Sequence, residues 1–255
     1  MRYRGEVETA PAMPDVKPSS REIHMWCLSQ DDNDRNVEAS REWLDPSEEA
    51  RAALFTFTRD RHRFIVRHAF VRGVIALYIG IPPVAVTFDV EDGGKPRCTA
   101  DKAPDFSVST VGNESLLAIS TTPIGVDIGI MADFTNESAM ARRWLSAKER
   151  SRLGAVRADD RGRALVTALV RKEAVLKAVG CGLATDLSLV DTGLATSAPV
   201  RVVVPSSPAS WWWVSDLHIS APFHAAVATT TPHHSAVWYR WYPQDSQSSQ
   251  GASIR

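Results

Sequence analysis

The chain states one pattern twice. Trp43-Leu44-Asp45-Pro46-Ser47-Glu48 and Trp144-Leu145-Ser146-Ala147-Lys148-Glu149 share the form Trp-Leu-x-x-x-Glu at a separation of 101 residues. Val71-Arg72 returns as Val170-Arg171 and Gly80 as Gly180, at offsets of 99 and 100. Each half then enters an apolar stretch, at 84–90 and at 187–190. Self-similarity at one long period, with room for two copies, predicts a duplicated unit rather than a repeat array. Two similar α/β halves leave a cleft between them, which is where ligand sites tend to lie.

Local signals agree with that division. Asp45-Pro46 reads as an N-cap with proline at the first helical position, and Ser146 with Glu149 as a capping box. A second helix in each half is predicted from about Asp60 to Ile79 and from about Asp160 to Val179, with Gly80 and Gly180 as C-caps. Leu165, Leu169, Leu176 and Val179 supply most of an apolar face for the latter. Strands are predicted at 23–28, 84–90, 106–109, 115–120, 124–128, 187–191, 200–204, 211–219 and 223–229. Strands and helices interleave irregularly, so the expected class is α+β with a pseudo-twofold duplication. The halves are assigned to 21–122 and 123–243. The polar stretches 1–20 and 244–255 are read as disordered tails.

Composition narrows the function classes. Over 255 residues the hydrophobic fraction is 44% and the charged fraction 23%, ordinary for a soluble globular protein. A net charge of −1 gives no electrostatic basis for binding nucleic acid or an anionic membrane. Cys27, Cys98 and Cys181 are scattered without metal-ligand spacing, which suits reduced thiols. No apolar leader or membrane-length run is present, so a cytoplasmic location is expected. A chain that already contains both halves of a cleft is expected to be monomeric.

The chemistry begins at Asp127, which follows the apolar run Ile124-Gly125-Val126. Forty-six residues later comes Glu173, with Lys177 one helical turn beyond. Two carboxylates and a cation suit a divalent metal and a phosphate-bearing substrate, because hard cations take carboxylate oxygens and share them with phosphates. Each piece also has a plainer reading. Glu173 and Lys177 match a common surface pair on a helix. Asp127 could end a strand as a turn former, and Gly93-Gly94-Lys95-Pro96-Arg97 a surface turn. Arg51, Arg59, Arg61, His62, Arg63, Arg67 and Arg72 form a basic segment, either a solvated helix face or a grip for phosphates. Trp211-Trp212-Trp213, Trp238, Tyr239, Trp241 and Tyr242 read mainly as core and edge cover, with a partner-binding patch as the alternative. His233-His234 reads as a loop.

The order of these pieces resembles the Sfp-type 4′-phosphopantetheinyl transferases. It runs from basic helices through Gly94-Lys95-Pro96, Phe106-Ser107-Val108-Ser109, Ile124-Gly125-Val126-Asp127 and Trp144-Leu145-Ser146-x-x-Glu149 to Lys172-Glu173-x-x-x-Lys177. The likeness covers about 40–190, and Phe223 to Ala228 is similar to that family's closing strand. It implies transfer of the 4′-phosphopantetheine arm of coenzyme A to a serine of an acyl or peptidyl carrier protein, with Mg²⁺, releasing 3′,5′-ADP. Polyketide, peptide or fatty-acid synthesis would be the setting. By the same resemblance Asp127 and Glu173 would be metal ligands, and Glu173 would act as or orient the base. Lys177 would hold the pyrophosphate. Lys95, Ser109, Thr110 and Arg51 would contact the nucleotide end or its 3′-phosphate.

Three positions depart from the pattern. Gly129 stands where a further acidic ligand is usual, Thr110 where a histidine is usual, and Leu169-Val170 where Trp-Ser is usual. These changes imply a thinner coenzyme A site. They keep two alternatives in view: a relative that acts on another small or carrier-bound substrate, and a module that binds a carrier protein without catalysis.

Overall fold

A computed structural model describes residues 17–30, 37–91, 93–131, 136–182, 185–194, 196, 198–205, 211–232 and 235–242. The first half runs β1 (Glu22–Ser29), α1 (Val37–Arg41), α2 (Pro46–Ala53), α3 (Thr58–Ile79), β2 (Phe88–Val90), β3 (Pro96–Cys98), β4 (Asp105–Val111) and β5 (Glu114–Ser120). The second runs β6 (Ile124–Ile130), α4 (Glu137–Trp144), α5 (Ala147–Leu153), α6 (Ala158–Val179), β7 (Val200–Val202), β8 (Trp212–Leu217) and β9 (Phe223–Thr229), followed by β10 (Ser235–Arg240).

The fold is α+β. One sheet has the order β10-β1-β5-β4, a second β6-β9-β8-β7, and β2 pairs with β3 as a hairpin. Within them β1-β5-β4 and β6-β9-β8 share the same antiparallel pairings. Strand alternation sends Trp26 and Leu28 toward α3, and Ile23, Met25 and Cys27 toward the other sheet's Val126, Ile128 and Val227. On the outer face of the second sheet, Val214, Ala226 and Ala228 pack against Val170, Ala174 and Ala178 of α6. The sheets thus share one core, with α3 covering one outer face and α6 the other.

Position 125 brings α6 close. A Cβ built on Gly125 would lie 2.0 Å from the Ala174 carbonyl oxygen, so no larger residue fits between β6 and the helix. Both long helices end on a left-handed glycine, Gly80 at φ 72° and Gly180 at φ 79°, as the sequence predicts.

A second repetition lies in the buried charges. Asp45 and Glu48 form the capping box of α2, and Arg72 of α3 binds both carboxylates. Ser146 and Glu149 form the capping box of α5, and Lys172 of α6 binds Glu149 at 2.7 Å with both side chains fully buried. Each half therefore locks a short helix to its long one through the cap's own glutamate.

Several expectations need correction. The predicted strand 187–191 is a 3₁₀ turn over Leu187–Leu189, capped by the Asp186 side chain. It turns two carbonyls, Leu187 and Val190, onto the Lys172 ammonium. Pro83–Ala85 is also 3₁₀, so the strand expected over 84–90 shrinks to β2. Strand β10 was not predicted; it pairs parallel with β1, placing Trp238 opposite Met25 and Tyr239 opposite Trp26. Trp212 is buried and Trp211 is 46% exposed, the alternation expected of core plus edge cover. All three cysteines are free thiols. His233-His234, residues 1–16 and 244–255 lie outside the described residues. Among the described residues no helix is long and apolar enough to cross a membrane.

Candidate active site

Strands β4 and β6, each at the edge of its sheet, meet along one line. The Ser107 hydroxyl accepts from the Val126 amide at 3.0 Å, and the Ser109 hydroxyl from the Ile128 amide at 3.4 Å. These two bonds bracket Asp127. Small hydroxyl side chains at alternate positions of β4 let a side chain do what a ladder carbonyl would otherwise do.

Asp127 points toward α6 because Gly125, Asp127 and Gly129 share one face of β6. Its Oδ1 accepts the Ser109 hydroxyl at 2.7 Å and the Lys177 ammonium at 2.7 Å. The Lys177 ammonium also reaches the Val108 carbonyl at 3.4 Å. Glu173, one turn before Lys177 on α6, is half-buried. Burial and then the charge of Asp127 raise its proton affinity above the ordinary carboxylate range, and Lys177 partly opposes them. Glu173 thus senses both the Asp127 and Lys177 charges, and Lys177 bridges Asp127 to Val108 of β4.

Among the described residues no three His, Cys, Asp or Glu side chains converge; the carboxylates at this centre are Asp127 and Glu173. Packing at Gly129 leaves little room for a side chain. A Cβ at that position would meet Val170 Cγ2 at 2.8 Å and Val166 Cγ1 at 3.4 Å. Two of the sequence departures, Gly129 and Val170, are therefore one packing arrangement.

Other predicted residues fall at different distances from this centre. Lys95 donates to Asp105 at 2.8 Å and to the Ile124 carbonyl at 3.0 Å, on the strand that leads to Asp127. Ser109 is a partner of Asp127 itself. Thr110, its neighbour on β4, faces the opposite side and bonds Ser115 at 2.8 Å. Arg51 sits in the last turn of α2, its guanidinium 5.8 Å from the Phe64 ring centre. Lys172 is turned inward to Glu149. Arg171, which sequence reasoning did not single out, is fully buried and holds Asp216 through two bonds of 2.6 Å. Nothing local in the sequence separates it from a surface arginine.

A cavity of about 190 Å³ adjoins the centre, lined from both halves by Gly94, Lys95, Pro96 and Val108 on one side and Leu176, Lys177 and Gly180 on the other. A larger cavity, about 630 Å³, lies instead along the β2–β3 hairpin and residues 99–105. It shares Lys95 but contains neither Asp127 nor Glu173, and its mixed charges converge on no single group. The smaller cavity is the one that Lys177 lines.

Comparison with known proteins points to a family. Residues 123–230 match the 4′-phosphopantetheinyl transferase superfamily. The chain is 28% identical over 196 residues to the 4′-phosphopantetheinyl transferase HetI of Nostoc sp. (strain PCC 7120), covering 75% of this chain and 82% of that protein. It is 27% identical over 207 residues to the 4′-phosphopantetheinyl transferase Sfp of Bacillus subtilis (strain 168), covering 80% and 88%. A third relative, psf-1 of Bacillus pumilus, is 26% identical over 204 residues. The matches support a transferase enzyme. Within that class these matches support a likeness to the Sfp-type 4′-phosphopantetheinyl transferase superfamily.

Proposed function

We propose that this protein transfers the 4′-phosphopantetheine arm of coenzyme A to a serine of an acyl or peptidyl carrier protein and releases 3′,5′-ADP. The observation that carries the reading is the meeting of Asp127, Glu173 and Lys177 beside a cleft lined from both halves. Relatives named as transferases of this kind support it.

Asp127 and Glu173 would hold Mg²⁺. Two crowded carboxylates, one with raised proton affinity, suit a dication that takes oxygen ligands and keeps several waters. When bound, Mg²⁺ would neutralise pyrophosphate charge. Lys177 supplies a second positive charge, swinging from Asp127 to a phosphate oxygen. Glu173 takes the proton of the carrier serine hydroxyl. The serine oxygen then bonds the phosphorus next to the pantetheine arm, and the bond from that phosphorus to the 3′,5′-ADP oxygen breaks. Position and charge provide the rate, with little covalent work by the protein.

The repeated strand order and the twin capping-box ion pairs favour a duplicated origin for 21–122 and 123–243, with β10 returning to the first sheet. A cytoplasmic monomer serving polyketide or nonribosomal peptide synthesis fits this reading. Intact mass spectrometry of several apo carrier proteins after incubation with protein, coenzyme A and Mg²⁺ tests it. A phosphopantetheine mass on at least one carrier is expected, and none on any carrier sinks the proposal.

A further inference from the structure

Helix α3 has cavities on two opposite faces. Arg67, His68 and Val71 line a small one that adjoins the cleft at Pro96 and Val108. Gly73, Leu77 and Gly80 face the other way, where they enclose about 440 Å³ together with Trp43, Trp241 and Tyr242, within the size range of a ligand pocket. Gly73 makes this second space possible. A Cβ there would meet Trp43 Cζ3 at 2.5 Å and Trp241 Nε1 at 3.3 Å, so its notch lets both indoles settle on the helix. The Trp26 indole N–H is taken by the Tyr78 hydroxyl at 3.0 Å, whereas those of Trp43 and Trp241 have no acceptor among the described residues. Trp241 is only 6% exposed, and a donor held that deep ordinarily has a partner.

Aromatic faces with free indole donors select one chemistry. A polyproline II strand lays its proline rings on such faces and turns outward the carbonyls that its own backbone leaves unbonded. The chain carries a segment of that composition, Ala10-Pro11-Ala12-Met13-Pro14. It enters the fold at the right end. The Tyr78 hydroxyl meets Nδ1 of His24, the third residue of β1, at 2.6 Å, and the lining residues Gly80 and Ile81 lie just past Tyr78. Lys17 binds the Lys102 carbonyl at 3.2 Å in the loop before β4, at that same end of the sheet. The six residues from Pro11 to Lys17 reach about 20 Å when extended, more than the roughly 14 Å width of the four-stranded sheet.

We propose that residues 11–14 of this chain seat in the Trp43–Trp241 cavity as a polyproline II strand whose carbonyls accept from the two indoles. The segment then straps the start of the chain over α3 and the end of β10. This site lies on the far side of α3 from the transfer cleft, and the inference does not rest on the transfer reading. It gives the aromatic cluster at Trp241 and Tyr242 a binding role beyond edge cover.

Nitrogen–proton NMR of the full chain reads the indole groups directly. In Pro11→Ala/Pro14→Ala the Trp43 and Trp241 N–H signals should move, and their exchange with water should speed up about tenfold, since a short tether holds the strand at an effective concentration of order millimolar. The Trp26 signal, held by Tyr78, should stay in place. A synthetic peptide of residues 8–17, added in excess to the double variant, should return both signals toward their unmodified positions. The same peptide with both prolines replaced by alanine should leave them where they are. Identical Trp43 and Trp241 signals in the unmodified protein and the double variant overturn the proposal. So does an equal change at Trp26, which reports a global effect, or a peptide that restores nothing. Signals of the unmodified protein that shift on dilution would assign the strand to a second copy and overturn the strap within one chain.

Discussion

The Lys177 ammonium lies 2.7 Å from Asp127 Oδ1, the oxygen that also accepts the Ser109 hydroxyl at 2.7 Å. Strand β4, strand β6 and helix α6 thus converge on one carboxylate oxygen, and the first half reaches the second through a serine. Glu173 stands beside them with its proton held more tightly than an ordinary glutamate's. The arrangement gathers two carboxylates and one ammonium at the meeting of β4, β6 and α6.

Neutralising either carboxylate should disable it. Asp127→Asn and Glu173→Gln keep shape and remove charge, so carrier modification should fall about 100-fold or more, the usual loss when one preorganised electrostatic contact is removed. Titration with Mn²⁺ should show weakened binding in both variants, while circular dichroism stays unchanged. Full transfer by either variant would show that the metal seat lies elsewhere.

Glu173 also predicts a pH effect. Its folded-state proton affinity lies above the ordinary value of 4.5, through burial first and Asp127 second. In metal-free protein the folded state therefore holds this proton more tightly than the unfolded chain. The stability it adds is complete below 4.5 and is lost as pH rises through the folded value. Glu173→Gln should flatten that fall in melting temperature, and Asp127→Asn should move it to lower pH.

Glu48 runs the opposite way. Burial alone would raise its proton affinity, but bonds from His68, the Asp45 amide and Arg72 outweigh that and hold it below 4.5. Its contribution is present above 4.5 and disappears as pH drops through the lower folded value. Acid unfolding of Glu48→Gln should lose part of its steepness below pH 4.5 relative to the unmodified protein.

Packing at position 129 is testable by compensation. Gly129→Ala should cost about 1–3 kcal/mol because the new methyl meets Val170 Cγ2 at 2.8 Å, and adding Val170→Ala should restore part of that in thermal melts. Gly125→Ala meets backbone at 2.0 Å, so no neighbouring side-chain trim should rescue it.

Among the twin ion pairs, the one in the second half should matter more. Glu149 and Lys172 are both fully buried, so Lys172→Met leaves an uncompensated charge and should cost about 3–5 kcal/mol in denaturant unfolding. The Glu149→Gln/Lys172→Met double variant should recover part of the loss. Around Arg72 the Asp45 side chain is 37% exposed, so Arg72→Met should cost less.

Much of this was legible in the sequence wherever a residue's local chemistry decides its conformation. Gly80 and Gly180 end their helices because a left-handed backbone favours glycine, and Asp45 and Ser146 start theirs because each is followed by the glutamate of its capping box. Asp127 and Glu173 were paired by their chemistry and by the order of the motifs around them, and the structure sets the Asp127 charge near Glu173. What was hidden depends on distant partners. β10 finds β1 across most of the chain, and no local pattern announces a parallel pairing. Lys172 stands inside the quoted motif, and nothing local shows that Glu149 and two carbonyls hold it. In the run of arginines on α2 and α3, helical phase turns Arg67 toward the cleft and Arg59 to solvent, and composition alone makes them equal. Thr110 is a milder case: alternation already forbids it and Ser109 from facing the same side.

The central claim is that Asp127 and Glu173 carry phosphopantetheine transfer. The most direct measurement follows the intact mass of one responsive apo carrier protein over time with coenzyme A and Mg²⁺, for the unmodified protein and Glu173→Gln side by side. The account predicts a phosphopantetheine mass gain that grows with the first and stays near background with the second. Equal gain with both, or none with the unmodified protein on any carrier offered, would contradict it.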